Sequence, residues 1–165
     1  MVLTYREASL SDVENLRTLG IDSYQQFEHV LNPLNWNKMY SFLSAEQSYR
    51  DLLSKSTCFV CEFDNQIIGM AFLVSKGNPT EIFEKDWTYL RMVGVHPNFS
   101  GKGIGRELIK ICILFAKESD EKIIALHTSE FMNSARHLYE DLGFVMNKEL
   151  KPIFDKKYWL YLLKL

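Results

Sequence analysis

From Trp87 to Val95 an apolar-rich run sets Trp87, Tyr89, Arg91, Val93 and Val95 in alternation with Thr88, Leu90, Met92 and Gly94. A period of two predicts a long central strand, which His96-Pro97 ends. Two further β-rich runs, Thr57 to Phe63 and Ile67 to Val74, flank the polar turn Asp64-Asn65-Gln66 and read as an antiparallel hairpin. Helical spacing appears at Val13, Leu16 and Leu19, behind a cap at Ser11-Asp12, and again at Ile104, Leu108, Ile111 and Phe115, in a helix reaching about Lys117. Leu3 to Ala8 and Lys122 to Thr128 are strands, and Asn133 to Leu142 is a helix that Gly143 caps. Phe144 to Lys148 and Tyr158 to Leu163 are two closing strands. Between Tyr24 and Leu53 lies an aromatic-rich stretch with a break at Pro33 and helical pieces after Asn35 and Ser44. The resulting order, β, α, α, β, β, β, α, β, α, β, β, fits an α/β fold with a mixed sheet and helices on its faces.

A chain of 165 residues with 47% hydrophobic content suits one compact domain spanning 1–165. The formal charge of -2 and a pI near 6.1, with acidic and basic residues interspersed, provide no positive stripe for nucleic acid. No run approaches the roughly 18 apolar residues of a membrane span, and Met1 to Glu7 lacks the pattern of a secretion signal, so no membrane partner is expected and the expected location is cytoplasmic. Cys58, Cys61 and Cys112 are then reduced thiols. Cys58 and Cys61 are three apart on a strand, which points them to opposite faces and argues against a shared metal.

Ser100-Gly101-Lys102-Gly103-Ile104-Gly105-Arg106 joins the end of the central strand to the start of a helix. Glycines let an anion approach the backbone, and the first helical turn offers free N–H groups and the positive end of its dipole. A phosphate or pyrophosphate can lie there, with Lys102 and Arg106 as counter-charge. A tight strand-to-helix connection needs the same glycines. A nucleotide P-loop is excluded because no Gly-Lys-Ser/Thr follows, and a dinucleotide fold is disfavoured because four β-type segments precede the turn.

Val93-Gly94-Val95-His96-Pro97 followed by Gly101-Lys102-Gly103-Ile104-Gly105 resembles the acetyl-CoA motif of the GNAT superfamily of N-acetyltransferases. Ala135-Arg136-His137-Leu138-Tyr139-Glu140-Asp141-Leu142-Gly143-Phe144 is similar to its second block. The resemblance covers nearly the whole chain. It implies a mixed, mostly antiparallel sheet with helices on both faces, acetyl-CoA as cosubstrate, and a central strand that splays from its neighbour. It further implies that the backbone of Val93, Gly94 and Val95 binds the pantetheine arm, that the amides of Gly101, Lys102, Gly103, Ile104, Gly105 and Arg106 hold the pyrophosphate, and that Tyr139 is the general acid for the departing thiolate. Ser100 stands where the family usually has Gln or Arg. Met132 stands where it often has Asn, and Asn133, one place later, reads as a helix N-cap.

Transfer to an amine needs a neutral nucleophile; about one lysine-like amine in 10³ is neutral at pH 7, so a base or a water relay helps. Asp86, Glu84, His127 and Glu130 are the candidates, and a backbone N–H near Val93 or Gly94 can hold the oxyanion. Tyr139, beside Ala135, Leu138 and Leu142, also has the spacing of a core aromatic. His96 shapes the turn before Pro97. The acceptor, a small-molecule amine, is expected between the Tyr24 to Tyr49 aromatics and Trp87, Tyr89 and Tyr158. A non-catalytic acyl-CoA sensor and a peptide acetyltransferase are the alternatives. The Tyr158 to Leu163 strand either closes the core or lines a homodimer interface.

Overall fold

A computed structural model describes residues 1–165. Its seven strands are β1 (Thr4–Glu7), β2 (Ser56–Phe63), β3 (Gln66–Val74), β4 (Thr88–Val95), β5 (Ile123–Ser129), β6 (Val145–Glu149) and β7 (Tyr158–Lys164), in the sheet order β1-β2-β3-β4-β5-β7-β6. Every neighbouring pair is antiparallel except β4 with β5. Helices α1 (Val13–Tyr24), α2 (Pro33–Ser44) and α3 (Glu46–Lys55) cover one face, and α4 (Ile104–Glu118) and α5 (Asn133–Asp141) the other. This is the α/β architecture expected from the element order.

Burial follows from the layering. All of β3 after Gln66 is buried, because helices cover both of its faces, and its sequence is correspondingly apolar throughout rather than alternating. Cys58 belongs to the core under α1 to α3, and Cys61 to the core under α4. Their opposed faces rule out joint ligation, and burial pushes the Cys58 thiol up. No cluster of His, Cys, Asp and Glu able to hold a metal exists elsewhere. β7 lies between β5 and β6 with Tyr158, Leu160 and Tyr161 buried, so it closes the core; the edge strand β6 is exposed along its whole length.

Several local readings need correction. The β2–β3 turn is two residues long, Asp64 and Asn65, both at positive φ (51° and 60°), the geometry that matches the twist of a hairpin; Gln66 already pairs with Phe63. Pro33 does not break a helix but starts one: it occupies the first turn of α2, where its missing N–H costs nothing, and the Asn32 side chain accepts the Asn35 N–H at 2.8 Å. Asp12 does not cap α1 through its side chain. Its carboxylate accepts the Ser9 N–H at 2.8 Å and a two-pronged contact from Arg6 at 2.8 and 2.9 Å, and the Arg6 hydrogen bond holds its pKa below the usual range. Asn133 is the first residue of α5 and makes no cap; Met132 holds that position.

The seating of α4 depends on a close approach at Gly69 of β3. A Cβ there would lie 2.7 Å from Ile104 Cγ2 and 3.0 Å from Leu108 Cδ1. Both are fully packed residues on the buried side of α4, so neither has free volume to retreat into. Gly69→Ala is therefore expected to cost about 1–3 kcal/mol through overpacking. Urea-denaturation midpoints check this; an unchanged midpoint would mean that α4 can shift without penalty.

Candidate active site

The strand pair at the centre of the sheet is open along most of its length. β4 and β5 are in register only at Thr88–Ile124 and Tyr89–Ala125; beyond these the two strands part. The cause is visible in the β3–β4 ladder, where Met70 opposes Gly94 but Phe72 opposes Arg91, so β4 carries one extra residue. Met92 takes up that residue at φ 52°, a left-handed conformation that L side chains rarely adopt. The strict alternation expected over Trp87 to Val95 is thereby broken. Leu90 faces α4, and after the bulge Val93 and Val95 face that same side, while Met92 joins the opposite core.

The bulge also decides which backbone groups are free. The His96 N–H donates to the Ile68 carbonyl at 2.8 Å, and because ladder bonds on an antiparallel strand recur every second residue, Gly94 also turns to β3. Val93 and Val95 turn to the gap left by β5. Of the two oxyanion donors considered from sequence, Val93 is the one directed there. Its carbonyl accepts a hydrogen bond from the Tyr24 hydroxyl at 3.2 Å, and burial raises the Tyr24 phenol to about 12. Gly94 fits against α1, where a Cβ would come 2.6 Å from Ser23 Oγ.

At the end of β4, His96 Nδ1 accepts the Asn98 N–H at 3.1 Å and Ser100 Oγ donates to the Pro97 carbonyl at 3.0 Å, which shapes the turn. Gly101 and Gly103 sit at φ 76° and 79° with open space where a Cβ would stand, so it is backbone conformation that requires glycine there. Gly105 has negative φ and only ordinary contacts around it. Gly103 caps α4, and the first intrahelical bond runs from Glu107 to Gly103 at 3.0 Å, leaving the amides of Ile104, Gly105 and Arg106 without helical partners. Lys102 is exposed and unpaired, whereas the Arg106 guanidinium is turned to Asp141 of α5 at 3.0 Å.

Tyr139 of α5 is 7% exposed and packs edge-on against Phe144. Burial raises its pKa well above the usual phenol value, and the nearby Tyr24 adds to the effect. The hydroxyls of Tyr24, Tyr49, Tyr89 and Tyr161 donate to Val93, Leu43, Asn78 and Glu140, but that of Tyr139 has no partner in the chain. Thr128, in the part of β5 that β4 leaves unpaired, carries a buried hydroxyl that is also unpartnered. Free amides at a positive helix end, an unpaired strand edge and an orphaned hydroxyl are the donor set that a pyrophosphate and an amide-bearing arm require. The residues present therefore fit acetyl-CoA.

A scan against family models matches residues 22–144 to the acetyltransferase (GNAT) family. The chain belongs to the GNAT family. Among curated relatives, it is 29% identical over 127 residues to an N-acetylaspartate synthetase of Xenopus tropicalis, covering 76% of this chain and 44% of that protein. It is 25% identical over 165 residues to an uncharacterized N-acetyltransferase, MJ1207, of Methanocaldococcus jannaschii, covering 98% and 66%. The chain thus spans less than half of the first relative and about two thirds of the second. Among solved structures, the PaiA N-acetyltransferase of Thermoplasma acidophilum, determined with coenzyme A, superposes with a TM-score of 0.81 over all of both chains at 14% identity, a likeness of fold. Acetyl-CoA is the cosubstrate of the GNAT family.

On the face of the GNAT sheet opposite α4, aromatic side chains from distant segments converge. Phe27 packs on Tyr24 and Phe131, Phe131 on Tyr158, and Tyr158 on His127, with ring centroids 5.0 to 6.1 Å apart. The start of α2 and the loop between β6 and β7 are joined: Asn35 donates to Asp155 at 3.1 Å and Asn32 to the same oxygen at 3.4 Å. Neither that connection nor the contact of Phe131 with Phe27 is legible in the sequence, because those partners lie more than 100 residues apart. A surface concavity of about 410 Å³ is at the other end of β4, between the 79–87 loop and β6–β7, away from the glycine turn. Glu84 lines it, and Glu84 and Asp86 are exposed. Glu130 is exposed, with its carboxylate 3.4 Å from the Lys157 N–H. Of the four candidate bases only His127 sits among the converging aromatics.

Burial pushes the His127 imidazole down to about 4, with the Arg91 charge acting in the same direction. The folded state thus disfavours protonation, so this stabilising contribution is complete above the ordinary value of 6.5 and is lost as pH falls toward about 4. Stability measured by denaturant titration is expected to fall across that window, and His127→Gln to flatten the fall; an unaltered slope in the variant would place the loss elsewhere.

Proposed function

We propose that the protein is an N-acetyltransferase that moves the acetyl group of acetyl-CoA directly to the amine of a small molecule, acting in the cytoplasm. The observation that carries this reading is that three unpaired donor sets belong to elements in mutual contact: the α4 amides, where Gly105 lies beside Leu138 of α5, the open edge of β4 at Val93 and Val95, and the Tyr139 hydroxyl, which is near the Tyr24 that bonds Val93. In it, the amides of Gly101 to Arg106 hold the pyrophosphate, and Lys102 supplies counter-charge. The β4 edge binds the pantetheine arm. That alignment sets the thioester where β4 and β5 part, and the Val93 N–H stabilises the developing oxyanion in a place from which bulk water is largely excluded.

Tyr139 keeps its proton throughout the neutral range because burial opposes the phenolate, and so can donate to the departing CoA sulfur. His127 is neutral at pH 7 and suits a role in orienting the amine or a relaying water rather than one as a strong base. No covalent enzyme intermediate is needed: Cys58 and Cys112 are buried with their thiols raised, Cys112 to about 12, far from the reactive thiolate form. The rings of Phe27, Phe131 and Tyr158, packed together beside His127, suit a small acceptor.

The test is thiol release from acetyl-CoA across a panel of amines that includes amino acids, arylamines, polyamines, aminoglycosides and short peptides. Release dependent on a small amine is expected; acetyl-CoA binding without release from any of them would support the sensor instead. Tyr139→Phe is expected to lower kcat by about 10²-fold or more while the acetyl-CoA dissociation constant stays within about twofold. An unaltered kcat would remove Tyr139 from the chemistry.

A further inference from the structure

Five of the six arginines have an evident partner. Arg6 pairs with Asp12 and Glu62, Arg17 with Glu14, Arg50 with Glu46, Arg106 with Asp141, and Arg136 lies 5.0 Å over the Trp159 ring. Arg91 is the exception. It is half-buried, takes part in no ion pair or side-chain hydrogen bond, and has only the Phe42 ring at 5.9 Å. Its position on β4 is two residues after the last residue in register with β5 and one before the bulge, which is the point where the two strands part. It shares the face of Tyr89, toward α1 and α2. Its charge acts on the ionisation of Tyr24, Tyr89 and His127, none of which is an anion at pH 7.

A half-buried guanidinium beside an aromatic ring, with no counter-ion in the chain, is stabilised by a negative group that joins it. Its planar fork of donors matches a carboxylate in a two-pronged contact. We propose that Arg91 anchors a carboxylate on the acceptor, so that the protein acetylates amines that carry one, of the amino-acid type with an apolar or aromatic side chain. This rests on the transferase reading above. A single guanidinium neutralises a monoanion, and no lysine or second arginine joins it to balance a phosphate dianion. The rings of Tyr24, Phe27, Phe131 and Tyr158 supply the apolar wall.

Matched pairs that differ only in the anionic group read this out: L-phenylalanine against phenethylamine, and each against the aminophosphonate of the same skeleton. The wild type is expected to show kcat/KM at least about 10²-fold higher for phenylalanine than for phenethylamine, because an unmatched half-buried charge penalises the amine that lacks a partner for it. In Arg91→Gln that ratio should collapse toward one, and Arg91→Lys, which keeps the charge but loses the fork, should retain part of it. In parallel, thermal unfolding is followed with each compound alone: phenylalanine should raise the wild-type midpoint and phenethylamine should not. A wild type that does not distinguish the pair in either readout, or an Arg91→Gln protein that loses both substrates equally, overturns the proposal, as does a preference for the phosphonate. Midpoint shifts specific to phenylalanine without acetyl transfer would leave the carboxylate anchor standing and sink the transferase reading instead.

Discussion

Met92 occupies a left-handed backbone conformation in the middle of a strand, and the rest of the site follows from that one residue. A side chain with a Cβ there costs about 1–2 kcal/mol relative to regular geometry. Packing of the Met92 side chain, 8% exposed, into the core beneath α1 and α2 offsets it. The extra residue shifts the register on β3 by one and turns β4 away from β5. Without it β4 and β5 would pair to their ends, the Val93 and Val95 amides would be spent on the ladder, and no edge would remain for a cosubstrate. The strained residue is thus not incidental: it accompanies the change of a paired strand into one with an open edge, the edge that the proposed function uses.

A second consequence concerns where the two halves of a substrate pair meet. The bulge reverses the facing of the strand, so Arg91 looks toward α2 and the aromatic cluster while Val93 and Val95 pack on the α4 side. On the proposed function, acetyl-CoA and acceptor then approach the opening from opposite faces of the sheet. Gly69 and Gly94 make this tolerable in packing terms, since one admits α4 against β3 and the other admits α1 against β4. The sheet is sandwiched tightly on both sides where it is paired, and open only where pairing stops.

The element order, the hairpin, the central strand and the glycine turn were legible in the sequence because each is set by local chemistry: periodicity, β-branched runs, and residues that tolerate positive φ. The helix start at Pro33 was misread as a break because the same φ restriction serves both roles, and only the Asn32 side chain bound to the Asn35 N–H decides between them. The bulge could not be read at all. Trp87 to Val95 reads as one unbroken β-rich run, and Met92 has no local preference for its conformation; a tertiary register imposes it. The same holds for the joining of the two segments by Asp155 to Asn32 and Asn35, and for the orphaned Thr128 hydroxyl, which depend on contacts distant in sequence or on the lack of them.

Electrostatics ties these observations together. The titratable groups near the opening are neutral at pH 7, and burial widens the range over which they stay so: it raises the Tyr24 and Tyr139 phenols and lowers the His127 imidazole. Neutral groups in a poorly hydrated gap cost little to bury, and they can pass or hold protons without attracting counter-ions. Against that background the Arg91 guanidinium is the one full charge, and its field is screened neither by a carboxylate of the chain nor fully by water. A site arranged in this way favours ligands that bring the missing negative charge close to Phe42 while leaving a neutral amine at the parting of β4 and β5. On the reading proposed above, the chain's own charges set the acceptor's charge while its backbone holds the cosubstrate.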